Sequence, residues 1–247
     1  INVMLLIWFV PNIASIVRKM VPATKDSEKI EYKLDYLSAS VQPTPEIAIL
    51  EAKKEVLSMS NVVNDFLSKS QDIFSLEKKV ISIDEARKKE DLTDQMQVQI
   101  SNYLAECTKH ELSEKSSKET ADMIRIINEL ESVGDSILNL FLINEKLDKK
   151  TLTSEMKVQI LELFSKVTEF IDWNHSFIKN DIKKISKEDI EKSIKYENDI
   201  DDLRNKFIDL SSKRLSKESN SLSELIFIDI IKHLEHIGDF ALNISQA

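Results

Sequence analysis

The sequence predicts an all-α protein made of two tandem antiparallel three-helix bundles. Three observations carry that expectation. Only 2 glycines and 4 prolines occur in 247 residues, too few for the turns of a many-stranded sheet. From Pro45 onward apolar residues recur at helical spacing rather than alternating. A run of residues around Glu131 also returns around Glu235, the mark of an internal repeat.

Composition narrows the function classes. Hydrophobic residues make up 42% of the chain, enough to build a core, so the sequence is not that of a disordered tail. The formal net charge is −9, which speaks against a nucleic-acid backbone as partner and in favour of cations or basic surfaces. Cys107 is the single cysteine, so an internal disulfide is excluded and a reducing compartment expected; it reads as a small core residue.

The elements follow in order. Residues 1–22 are apolar over Val3–Val10 and again at Ile13, Ala14 and Ile16, with Arg18 and Lys19 behind them. That pattern predicts the end of a transmembrane helix with its basic flank on the cytoplasmic side, although the stretch is shorter than the ~20 residues a full span needs. Residues 23–43 lose periodicity, gather charge and serine, and end in Pro43-Thr44-Pro45, the expected linker.

The first repeat is expected over 44–148. Thr44 caps a helix with Pro45 at its first position and a stripe of Ile47, Leu50, Val56, Met59, Val63, Phe66 and Leu67. A second helix is expected from an Asp84 cap to about Cys107, then a loop over Ser113–Lys118, then a third helix carrying Met123, Ile126, Ile127, Leu130, Val133, Ile137, Leu138 and Phe141. The second repeat is expected over 149–247, with helices opened by Thr151, Ser186 and Ser221 or a near neighbour.

The repeat is readable in detail. Leu130-Glu131-Ser132-Val133-Gly134-Asp135 matches Leu234-Glu235-His236-Ile237-Gly238-Asp239 at an offset of 104, and Glu90 and Asp94 match Glu197 and Asp201 at an offset of 107. Each pair is four residues apart and so lies on one helix face, where two carboxylates repel by about 0.2–0.5 kcal/mol unless a positive charge lies between them. With 43 acids in the chain, about seven such pairs arise by chance, mostly on solvated faces. Placement is what singles these out: the four pairs stand at matched repeat positions, and two of them enclose the chain's only glycines, Gly134 and Gly238. A helical glycine costs about 1 kcal/mol against alanine, so close approach of another helix or of a ligand is implied. Carboxylate oxygens suit hard cations such as magnesium, calcium, manganese or iron.

Other chemistry finds no support. No Glu-x-x-His occurs, as a di-iron oxidase bundle would need, and no Walker loop, nucleophile elbow or dinucleotide fingerprint is present. His110, His175 and His233 lack ligand spacing, and His236 follows Glu235 and points off its face. A non-enzymatic protein is expected.

The run from Leu234 to Ile244 and its degenerate copy from Leu130 to Leu140 resemble the PhoU family, two three-helix bundles that regulate phosphate uptake. The resemblance implies metal ligation by Glu90, Asp94, Glu131, Asp135, Glu197, Asp201, Glu235 and Asp239, with iron, zinc, manganese or magnesium as the ion. Where the family usually carries Arg after the glutamate, this chain has Ser132 and His236, which puts partner contacts there in doubt. Thr44-Pro45-x-x-Ala48-x-x-x-Ala52-Lys53-x-Glu55-Val56, behind the apolar segment, is similar to the junction of bacterial sodium-dependent phosphate cotransporters with a C-terminal PhoU-like domain. That likeness implies a regulatory domain at the cell membrane, on its cytoplasmic side, whose partner is its own membrane transport domain handling sodium and phosphate; a homo-oligomer is compatible with it. A free-standing PhoU-like regulator of phosphate transport signalling is the alternative.

Overall fold

The computed structural model describes residues 32–34, 44–74, 81–109, 112–147, 151–180, 186–216 and 221–247. Among these there are six long α-helices and no strand: α1 Pro45–Ser70, α2 Ile83–Cys107, α3 Glu114–Glu145, α4 Ser154–Lys179, α5 Lys187–Leu215 and α6 Ser221–Gln246. One 3-10 turn, Gln71–Phe74, extends α1. The two tandem three-helix bundles are therefore present.

Caps fix where the helices begin. The second helix starts two residues earlier than the Asp84 reading, because Ser82 and Glu85 form a reciprocal capping box: Glu85 N donates to Ser82 Oγ (3.2 Å) and Ser82 N donates to Glu85 Oε2 (2.9 Å). Ser113 is itself a cap, accepting from Ser116 N, so the expected Ser113–Lys118 loop is the first turn of α3. Thr153 rather than Thr151 caps α4, receiving Met156 N at 3.2 Å, and this places Leu152 in the core just ahead of the cap. Ser186 caps α5 as expected, with Asp189 closing its box.

The helices bury one face each. Within each repeat the three helices pack on one another, and between repeats α1 meets α4 and α3 meets α6. Each helix at that junction thus meets its own counterpart, which is what a twofold relation between the copies requires. One continuous apolar cluster runs through both repeats, from Val56, Phe66 and Met96 to Phe164, Phe207 and Ile237. Phe66 stacks on Phe141 (5.9 Å between centroids) in the first repeat, and Phe170 on Tyr196 (5.0 Å) in the second. Polar bonds cross the junction at Ser60 Oγ to His175 Nδ1 (2.9 Å) and from Asn243 Nδ2 to Glu129 Oε2 (3.1 Å). Cys107 is buried, as a small core residue should be.

Two expectations are corrected. Ile47 and Leu50 of the anticipated α1 stripe are 49% and 51% exposed; at this end of the helix Ala48, Ile49 and Ala52 face the core instead. The expected position at the cell membrane is also overturned: no helix of the described residues is long and apolar enough to cross a membrane. Even the most apolar one, α6, carries Glu224, Asp229, Lys232, Glu235 and Asp239 along its length. The segment 1–22 on which that expectation rested lies outside the described residues.

One buried ion pair pins the start of α6 to the end of α5. Glu224 is 1% exposed and receives Arg214 Nε (2.7 Å), Arg214 Nη2 (3.0 Å) and Ser211 Oγ (2.6 Å). Removing the cation from such a pair leaves a buried carboxylate short of its main counter-charge. Arg214→Ala is expected to lower unfolding stability by about 3–5 kcal/mol, whereas Lys213→Ala, on the exposed pair with Asp209, should stay within about 0.5 kcal/mol; urea denaturation of both variants checks this.

Candidate metal centre

The acidic pairs of each repeat come from two neighbouring helices, and the glycines bring those helices together. A Cβ placed on Gly134 would lie 2.7 Å from Thr93 Oγ1, and one on Gly238 would lie 3.1 and 3.2 Å from Ile200 Cδ1 and Cγ2. Another helix, not a ligand, is therefore what each glycine admits. Thr93 and Ile200 are buried on α2 and α5, one residue ahead of Asp94 and Asp201. The contact that demands glycine on one helix thus sets the height of the carboxylates on the other.

In the first repeat Glu90, Asp94 and Asp135 converge: one carboxylate oxygen from each lies within 4.8 Å of the other two. Glu90 and Asp94 are half-buried on α2, and Asp135 is exposed on α3. Burial, the Asp94 and Asp135 charges and a side-chain hydrogen bond to Asp135 push the Glu90 carboxyl up to about 7. Burial, then Asp135 and Asp91, also raises Asp94, and one Asp94 oxygen, Oδ1, is buried without a hydrogen-bond partner. Glu131 is raised by burial and by Asp135, but its Oε2 receives Ser132 Oγ (3.2 Å) and it stands beside the trio rather than in it. A proton shared between carboxylates and an unpartnered oxygen are what a site for a hard cation looks like when protons stand in for the ion. Three of the four residues expected in this repeat therefore fit a metal.

In the second repeat Glu197, Asp201, Glu235 and Asp239 are also brought together, but around a cation of the chain's own. Arg204 Nη2 donates to Asp201 Oδ1 at 2.8 Å and to Glu235 Oε1 at 3.0 Å, joining α5 to α6. Burial raises Glu197, Glu235 and Asp239, while Arg204 counters part of that rise in all three. His236 does not point clear of the cluster as its position suggested: Nε2 lies 3.7 Å from Glu235 Oε2. Among the described residues no second set of three ligating side chains converges as Glu90, Asp94 and Asp135 do. As it stands this half does not fit a metal. The sequence reading missed Arg204, and its signal was the Asp201-x-x-Arg204 spacing, where the first repeat has Gln97.

Fold and site together define a tandem three-helix-bundle protein with carboxylate-lined helix seams. The PhoU domain family model matches residues 56–141 and 154–247, one match per repeat, and the chain belongs to the PhoU family. Solved structures agree at the level of the fold. The chain is similar to PhoU from Pseudomonas aeruginosa, with 14% identity, a TM-score of 0.73, and coverage of 81% of this chain and 95% of that one. It is also similar to the phosphate transport system regulatory protein PhoU from Streptococcus pneumoniae, with 15% identity, a TM-score of 0.66, and coverage of 81% and 93%. No curated protein matches the chain.

Two outcomes are expected. Gly134→Ala gains about 1 kcal/mol of helix propensity but drives a methyl to 2.7 Å from Thr93 Oγ1, on a fully buried side chain, so a net loss of about 1–2 kcal/mol is expected; Gly238→Ala, whose methyl would meet Ile200 at 3.1 and 3.2 Å, should lose less. Chemical denaturation ranks the two. The second concerns pH. Between the ordinary 4.5 and about 7 the folded chain holds the Glu90 proton more tightly than the unfolded chain, so metal-free stability from this group rises as pH falls through 7 and is lost above it. In EDTA, Glu90→Gln should therefore be more stable than the parent at pH 8, with the gap closing toward pH 5.

Proposed function

We propose that this chain regulates phosphate transport by contact with a transporter or its signalling partner, and that the first acidic cluster holds a divalent cation that sets its state. The observation that carries the metal part is the convergence of Glu90, Asp94 and Asp135 from two helices, with one Asp94 oxygen buried and unpartnered. The regulatory part is supported by membership of the PhoU family and by likeness to a phosphate transport system regulatory protein over nearly its whole length. Glu90 and Asp94 hold the α2 side of the site and Asp135 the α3 side, with Glu131 alongside. A bound cation supplies charge neutralisation there, in place of the shared proton. The carboxylates themselves tie or release the α2–α3 seam according to whether they are neutralised. A cation held there would compete with the Glu90 proton, so its affinity would rise with pH through about 7.

The run Thr44-Pro45-x-x-Ala48-x-x-x-Ala52 supports a sodium-coupled phosphate carrier as the regulated transporter.

The experiment is phosphate uptake by source cells lacking this protein, complemented with the parent or with Asp94→Asn/Asp135→Asn, measured at low and high phosphate, with and without sodium. Complementation by the parent should change the dependence of uptake on external phosphate, and the double variant should reproduce the deletion. Superimposable curves from deletion and parent would remove the regulatory reading. An active double variant would remove the metal's part in it.

A further inference from the structure

The repeats are related in sequence, yet the two clusters are closed in different ways. The offset of 107 that places Glu197 on Glu90 and Asp201 on Asp94 places Arg204 on Gln97. Both side chains reach from the second helix of their repeat to the third, but with different chemistry. Gln97 Nε2 donates to Asn128 Oδ1 at 2.7 Å, a neutral pair away from the carboxylates. Arg204 instead turns into its cluster, where Nη2 serves carboxylates on both helices, Nη1 donates to Asn205 Oδ1 at 3.0 Å, and Nε is buried without a partner.

We propose that the two repeats are unequal toward cations: Arg204 is a built-in counter-ion that closes the second cluster, and a divalent metal is taken up at the first repeat alone. This rests on the reading of the first cluster as metal-binding. One guanidinium nitrogen bridging Asp201 and Glu235 does what a bridging ion would do, namely offset repulsion between carboxylates on facing helices. It cannot be removed by a change in pH, because arginine stays protonated throughout the accessible range. A metal entering the second cluster has to break both charge-assisted hydrogen bonds and then share the site with a displaced positive charge. Two such bonds are enough to weaken binding there by about 100-fold or more. The structural consequence is an asymmetric molecule. The carboxylates of the α5–α6 seam are bridged permanently, while those of the α2–α3 seam are bridged only by a charge from outside, so metal supply alters one half of the protein and leaves the other as a fixed frame.

Mn2+ binding to the full chain, by equilibrium dialysis with elemental analysis, separates the possibilities. In the parent, Asp94→Asn/Asp135→Asn should abolish binding, and Asp201→Asn/Glu235→Gln should leave it unchanged. Arg204→Gln should add a second class of bound Mn2+ and, in EDTA, melt at a lower temperature that Mn2+ restores. Gln97→Arg, which carries the counter-ion into the first repeat, should weaken Mn2+ binding there by about 100-fold while circular dichroism stays native. Loss of parent binding in Asp201→Asn/Glu235→Gln would overturn the proposal, as would a folded Arg204→Gln chain that gains no Mn2+. If Arg204→Gln fails to fold, Gln97→Arg decides: undiminished Mn2+ binding in it overturns the proposal. A parent that binds no Mn2+ while Arg204→Gln does would sink the reading of the first cluster but uphold the role of Arg204.

Discussion

The close approach of paired helices at Gly134 and Gly238 is the constraint on which the rest of the structure depends. Without it the carboxylates of α2 and α3, or of α5 and α6, would stand apart on separate solvated faces and behave as ordinary surface acids. With it, Glu90 is hydrogen-bonded to Asp135 and Asp201 and Glu235 share a guanidinium. Glycine is unfavourable in each helix taken alone, and its cost is offset by packing against Thr93 and Ile200 that no side chain would allow at the same distance. The site chemistry is therefore a by-product of how tightly two helices pack.

Packing and charge pull against one another at these seams. The apolar cluster beneath them favours a closed bundle, while four acids per repeat favour separation or protonation. In the second repeat Arg204 offsets the conflict with positive charge, and in the first it shows as a Glu90 carboxyl pushed up to about 7. The same logic on a smaller scale explains Glu224, an acid tolerated at the start of α6 because Arg214 and Ser211 satisfy both its oxygens.

Most of the fold was legible because it is written in periodicity, and most of the site because it is written twice. The repeat marked all eight acids without any structural knowledge, and the Ser186 cap and the Pro45 start were readable from local chemistry, whereas Thr44 holds the N-cap position with no side-chain cap bond. What failed were features set by a partner rather than by the segment itself. The reading of Asp84 as the cap failed because the Ser82–Glu85 reciprocity places it two residues earlier. Ile47 and Leu50 obey the helical period but lie on a face that nothing among the described residues covers fully, whereas the small Ala48 and Ala52 face the core. Periodicity reports that a helix has a stripe; it does not report where along the helix the neighbours begin.

Arg204 was invisible for a related reason, and it changes the meaning of the repeat. An arginine three residues after an aspartate is usually a solvated intrahelical pair contributing a few tenths of a kcal/mol. Here the second carboxylate comes from another helix at a seam closed by a glycine, which partly desolvates the pair and makes the arginine a structural cation. Duplication of a three-helix unit yields two equal clusters only while every residue around them is duplicated as well. One position, glutamine in the first copy and arginine in the second, is enough to separate a cluster without a cation of its own from one that carries it. α3 lies against both its own seam partner α2 and α6 of the second repeat, so it is the element that the first cluster and the second repeat have in common. On the proposed asymmetry α3 would have a fixed half to move against, which two identical clusters, responding together, would not provide.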